Sequence, residues 1–243
     1  PAQAAEFSVG ANIGNVPWEF QDASGATVGF EIDLVNEIAS RLDSTVKFEN
    51  IPFNGLFSAV QSGRIDMAVS SITITEKRLE SVSFAQPYYD SDQSLTATAA
   101  SGITSLDELK GKTIGVDTGS TGDIYAQENA EKYGFASISR YEGLAPAMLD
   151  LQAGRIEGYI SDIPALQYYT KDKPELKVVQ RIETGEKYSI MFAKDAELLT
   201  KVNDVLTTLK NEGFIAGLHE KWFGAKPEDT TSTVMVTDIP MLK

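Results

Sequence analysis

A chain of 243 residues, 42% hydrophobic and 23% charged, is long enough for two domains with cores of their own and contains no low-complexity run. Its 35 acidic residues against 21 basic ones give a net charge of −14, which argues against a nucleic-acid partner. The lack of cysteine excludes disulfides, thiolate catalysis and cysteine-held metals, the single His219 disfavours a Ser-His-Asp triad or a multi-histidine metal site, and no apolar stretch approaches the ~18 residues of a membrane span.

In chain order, Phe7–Asn12 reads as a first strand and Ile13–Pro17 as a turn, after which Trp18–Phe20 runs into a hairpin turn at Gln21–Gly25. Leu34, Val35, Ile38 and Leu42 recur at helical spacing and predict an amphipathic helix from Phe30 to Asp43. Val46–Ile51 is a strand, Leu56–Gly63 a short helix, and Ile65–Val69 a β-branched run that reads as a buried strand. This βαβαβ order requires a parallel sheet with helical crossovers. Ser70, Ser71, Thr73 and Arg78 crowd the exit of the buried strand, where open α/β sheets place their ligands. Hydroxyls and a guanidinium there suit a small carboxylate.

Beyond Val82–Tyr89, the extended run Thr96–Ala100 is read as a crossing to a second lobe. Ser105–Glu108 has the form of a capping box, and Lys112–Asp117 is a strand. The small-residue loop Thr118–Gly122 then opens a helix that runs to Gly134, presenting N–H groups suited to an anion. It lacks the lysine and spacing of a P-loop and is not GxGxxG, so no nucleotide site is predicted. Ser137–Arg140 is a strand, Pro146–Ala153 a helix, and a further strand reaches Asp162, with Pro164 in the first turn of the next helix. Val178–Val179 and Tyr188–Ala193 are strands, two helices carry Leu198–Leu209 and Phe214–Phe223, and the Thr- and Asp-rich tail from Glu228 reads as loosely attached.

One stretch recurs. Gln61–Thr73 and Gln152–Pro164 match in Gln, Gly, Arg, Ile, Ser and Ile at a fixed offset of 91 residues, each reading as helix end, glycine cap, buried strand and polar exit. That interval suggests two similar lobes rather than a solenoid. Ser71 in the first copy corresponds to Asp162 in the second, so one strand end offers hydroxyls and Arg78 and the other a carboxylate, a set that suits a zwitterion.

Several segments together resemble the periplasmic solute-binding proteins of polar amino-acid ABC importers. They include Val16–Phe20, Gly29–Leu34, Phe53–Leu56, Ser71–Arg78, Ser83–Tyr89, Leu109–Val116, Gly119–Thr121, Gly154–Glu157 and Glu220–Gly224. The resemblance implies an α/β, two-lobe type II periplasmic-binding-protein fold, each lobe a mainly parallel sheet flanked by helices, joined by two crossover strands. Lobe 1 would comprise residues 1–94 and 190–243, and lobe 2 residues 95–189. It further implies a monomer that closes on its ligand without cofactor or metal and delivers it to a membrane permease. A periplasmic location follows, the signal peptide having been removed before Pro1.

Carried over residue by residue, the resemblance assigns Arg78 to the ligand α-carboxylate, with Thr73 and the backbone at Ser71 adding contacts to the head group. Ser120 and Thr121 would meet the carboxylate, Asp162 the α-ammonium, and Phe53 would form an apolar wall; Trp18 is counted with the ligand-binding set. The family often has an aspartate at Asn12, an aromatic lid at Asn15 and, in some glutamine binders, a lysine at Asp117. Asn12, Asn15, Glu19, Ser70 and Asp117 would therefore make a polar distal pocket, fitting a polar or basic amino acid or an opine-like conjugate. Two alternatives share the scaffold. An enzyme such as a cyclohexadienyl-dehydratase-like lyase would need a general acid, with Glu19 and Asp117 as candidates. A sensory domain is disfavoured by the finished C-terminal helix and tail.

Overall fold

The computed structural model describes residues 4–243, which divide into two compact units. Unit 1 contains the described residues up to Ile13, Pro17–Asp90 and Glu186–Lys243; unit 2 contains Gly14–Val16 and Ser91–Gly185. The chain thus changes unit four residues before each of the changes expected at 94/95 and 189/190. Residues 14–16 join unit 2 because Val16 packs among Leu144, Met148 and Leu166.

Unit 1 begins with β1 (Ala5–Ala11), followed by the hairpin β2 (Phe20–Gln21) and β3 (Thr27–Val28), then helix α1 (Phe30–Arg41). Gly29, just before α1, has φ +143, and a Cβ there would lie 2.1 Å from the Trp18 carbonyl oxygen. This close approach lets Pro17 and Trp18 accept the first N–H groups of the helix, those of Phe30 and Glu31, at 2.9 and 3.0 Å. Strand β4 (Ser44–Asn50), helix α2 (Gly55–Gln61) and β5 (Met67–Ala68) complete the βαβαβ run, with β1 parallel to both β4 and β5. The one-turn α3 (Glu76–Leu79) and β6 (Val82–Phe84) follow.

The chain leaves unit 1 within β7 (Tyr89–Thr98). In unit 2, the Ser105–Glu108 capping box closes a single 3-10 turn, and β8 (Thr113–Asp117), α4 (Thr121–Tyr133), β9 (Ser137–Tyr141), α5 (Leu144–Gln152), β10 (Gly158–Asp162) and α6 (Ile163–Thr170) alternate. The chain returns within β11 (Leu176–Tyr188). The sheet order is β11-β7-β10-β8-β9, with β10 and β9 parallel to β8 and β7 antiparallel to β10. Expected as a short pair at 178–179, β11 instead runs for 13 residues through polar positions that alternation did not mark.

Back in unit 1, β12 (Met191–Ala193) inserts antiparallel between β5 and β6, giving the order β4-β1-β5-β12-β6. Helices α7 (Glu197–Asn211) and α8 (Phe214–Phe223) bury Val202, Leu206, Leu209, Ile215 and Leu218 against Phe30, Leu34, Val35 and Ile38 of α1. Each sheet is mixed rather than wholly parallel: β12, which re-enters unit 1, runs against β5 and β6, and β7, which first enters unit 2, runs against β10.

The two sequence copies adopt the same local structure. Gly63 and Gly154, with φ +73 and +76, follow α2 and α5, and the chain then enters β5 and β10. The tail, expected to be loose, is instead packed on unit 1. Ser232 and Thr233 are buried, the Ser232 N–H donates to Asp90 Oδ2 (3.1 Å) and the Thr233 hydroxyl to the Tyr88 carbonyl (2.9 Å). Lys210 Nζ donates to the Met235 carbonyl at 2.8 Å. Among the described residues, no helix is long and apolar enough to cross a membrane.

Candidate functional site

In unit 1 the polar side chains gather where β5 ends. Arg78 is held by the turn of α3, whose N-cap Thr75 accepts the Arg78 N–H at 3.1 Å. Its guanidinium donates to the Thr73 carbonyl at 2.7 Å and lies over the rings of Phe53 and Phe57, 5.4 and 5.1 Å from their centroids. Burial on two aromatic faces fixes the guanidinium plane, the arrangement that favours bidentate carboxylate recognition. The Thr73 hydroxyl donates to Glu186 Oε1 at 2.9 Å, bringing a second buried carboxyl to this corner.

The serines before it are held from behind by carboxyl groups. Ser70 Oγ donates to Glu19 Oε1 at 2.8 Å and accepts the Asn12 N–H at 3.4 Å. The Ser71 N–H lies 2.9 and 3.0 Å from the two carboxylate oxygens of Glu31, and the Tyr88 hydroxyl donates to Glu31 as well. Burial raises the Glu31 carboxyl above its usual range and pushes the Tyr88 phenol well up. Glu19 and Trp18 lie in the core behind these serines. Neither has exposed surface: Glu19 supports Ser70, and the Trp18 ring packs edge-on against Phe30, Tyr89 and Tyr188. An alternating run next to a turn does not tell which face is the core, and here it is theirs.

In unit 2, Asp162 and Thr121 meet through a residue that the sequence reading missed. Gln93 Nε2 donates to Asp162 Oδ1 at 2.6 Å and to the Thr121 hydroxyl at 3.0 Å. Asp162 precedes α6 without making a side-chain cap bond, so its carboxylate is turned to Gln93 instead. Ser120 is the N-cap of α4, its Oγ accepting the Asp123 N–H at 3.1 Å. The anion suggested by this loop is partly supplied from within: Asp123 accepts the Gly119 N–H at 3.0 Å and pairs with Arg140. Burial pushes the Asp123 carboxyl up, but Arg140 and the Gly119 N–H hold it below the usual range overall.

Asp117 ends β8, and its Oδ1 accepts the Gly143 N–H at 3.1 Å. Burial pushes its pKa up to about 6, against the opposing N–H groups of Gly143 and Thr118. Asn15 belongs to unit 2, whereas Asn12 belongs to unit 1. Among the described residues, no cluster of three or more His, Cys, Asp or Glu could hold a metal ion.

Residues 7–225 match the model of the bacterial extracellular solute-binding proteins, family 3. The chain belongs to this family. Among its relatives, the lysine/arginine/ornithine-binding periplasmic protein of Escherichia coli (strain K12) is 31% identical over 225 residues, covering 88% of this chain and 86% of its own. A solved mutant of ArgBP from T. maritima superposes with a TM-score of 0.86 at 33% identity, covering 91% of this chain and 96% of its own. An ancestral arginine-binding protein bound to arginine superposes at 0.85 with 34% identity, covering 90% and 99%. The two units are accordingly those of a two-lobe solute-binding protein.

Four contributors escaped the sequence reading: Glu31, Phe57, Gln93 and Glu186. Only Glu31 left a signal, since a charged residue three to four positions before Leu34 and Val35 falls on the apolar stripe of α1. The others depend on contacts distant in sequence.

Proposed function

We propose that this solute-binding protein is an exported receptor that binds a polar amino acid and delivers it to the membrane permease of an ABC importer. An amino acid with a cationic side chain is the first choice. The observation that carries the reading is Arg78, a buried guanidinium seated on Phe53 and Phe57 at the strand exit. It is assigned the α-carboxylate, with Thr73 and the backbone of Ser71 at the head group. From unit 2, Asp162 is assigned the α-ammonium and Ser120 and Thr121 the carboxylate. Asn12, Asn15 and Asp117 are assigned to the distal end; Asp117 supports a cation because its carboxylate is already short of solvation and gains from a positive partner. The lysine, arginine and ornithine named for the relatives above support the same class.

The receptor reading is favoured over catalysis on the same scaffold because Glu19, one of the two candidate general acids, has no exposed surface and is committed to Ser70. A thermal-shift panel of arginine, lysine, glutamine, leucine and a sugar–amino-acid conjugate tests the proposal. Stabilisation by the basic and amide ligands, with little from leucine, is expected. Equal stabilisation by leucine overturns the distal assignment, and stabilisation by none of them overturns the receptor reading.

A further inference from the structure

Ser71 is one of the few non-glycine residues with a positive φ, +44, and it stands at the strand exit next to Ser70. L-residues seldom adopt this left-handed conformation unless their surroundings over-determine it. Glu31 supplies that determination. Both of its carboxylate oxygens face the Ser71 N–H, at 2.9 and 3.0 Å, and the Tyr88 hydroxyl donates to the same carboxylate. Glu31 is itself fixed in the first turn of α1, where the helix dipole favours an acidic side chain and Gly29 lets Trp18 accept the Glu31 N–H. It has no exposed surface, so it does not touch solvent or a solute.

The neighbouring serine is held in parallel. Ser70 Oγ donates to Glu19, which is equally buried.

We infer that Glu31 is a positioning residue: with Tyr88 as its donor, it holds Ser71 in the conformation that presents the strand exit to the ligand's head group. The inference rests on the receptor reading for its effect on affinity, but not for its effect on Ser71.

The test uses the full chain, L-arginine titrations at pH 7, and amide NMR of the ligand-free protein. In Glu31→Gln, the Ser71 amide should lose the downfield proton shift of a carboxylate-bound N–H, and arginine should bind about 10- to 100-fold more weakly at pH 7. If Glu31→Gln does not fold, Tyr88→Phe removes one donor from the carboxylate and should shift the Ser71 amide and weaken arginine at least threefold. An unmoved Ser71 amide in whichever of these two variants is read overturns the inference. Failure of the wild type to bind any amino acid counts against the receptor reading alone, because the amide shift still reports on Glu31.

Discussion

Gln93 Nε2 stands 2.6 Å from Asp162 Oδ1, and through the same amide it reaches the Thr121 hydroxyl at 3.0 Å. One fully buried side chain on β7 thus ties the end of β10 to the start of α4, and fixes two of the residues assigned to the ligand. Replacing Gln93 with Leu removes the donor to both. Arginine affinity should fall by about 1–2 kcal/mol, since Asp162 loses the bond that orients it. Calorimetric titration of the variant, with its thermal unfolding recorded alongside, separates that loss from a loss of fold.

Asp117, assigned to the distal end of the ligand, gives a pH prediction. Its folded-state pKa is about 6 against the ordinary 3.8, raised first by burial. A cationic ligand prefers the ionised form, so arginine should bind more tightly as pH rises from 5 to 7, and Asp117→Asn should flatten that rise. Stability runs the other way. The folded protein holds the Asp117 proton more tightly than the unfolded chain, so the free energy of unfolding falls as pH rises through the window between 3.8 and about 6. Titrations at several pH values check the first statement, and urea melts of Asp117→Asn against wild type check the second.

Gly29→Ala should destabilise unit 1 by about 3 kcal/mol, combining an unfavourable φ with a clash against backbone that has nowhere to move. Chemical denaturation measures it directly. The loss should exceed that of Gly25→Ala, where φ is also positive but a Cβ meets nothing within 4 Å.

Removing the tail after Glu228 should cost about 2 kcal/mol. It strips Thr233 from Tyr88 and leaves Lys210, an amine whose pKa burial lowers to about 8, with one carbonyl partner fewer. A lowered melting temperature is the expected result. An unchanged one would restore the view of the tail as loosely attached.

Much of the architecture was readable because it rests on local signals. The helical spacing of Leu34, Val35 and Ile38 marked α1, and the repeated Gln–x–Gly–Arg–Ile marked two equivalent helix-cap-strand units whose glycines share a left-handed φ. Of the candidate site, local signals marked only the strand-exit residues. The burial of Trp18 and Glu19 was not legible because it comes from packing against Tyr89, Tyr188 and Ser70, distant in sequence. Gln93 lies on a strand whose inward face carries Ser91 and Leu95, and nothing local distinguishes a glutamine that grips Asp162 from one that fills space. The tail misled for the same reason: Thr and Asp suggest solvent, yet here they satisfy Tyr88 and Asp90.

The central claim is that Arg78 grips the carboxylate of a polar amino acid. Isothermal titration of wild type and Arg78→Ala with L-arginine tests it most directly. The account predicts saturable one-to-one binding by the wild type and a loss of at least ~2 kcal/mol, about 30-fold, in a variant that still unfolds cooperatively. Near-wild-type affinity in folded Arg78→Ala would contradict it.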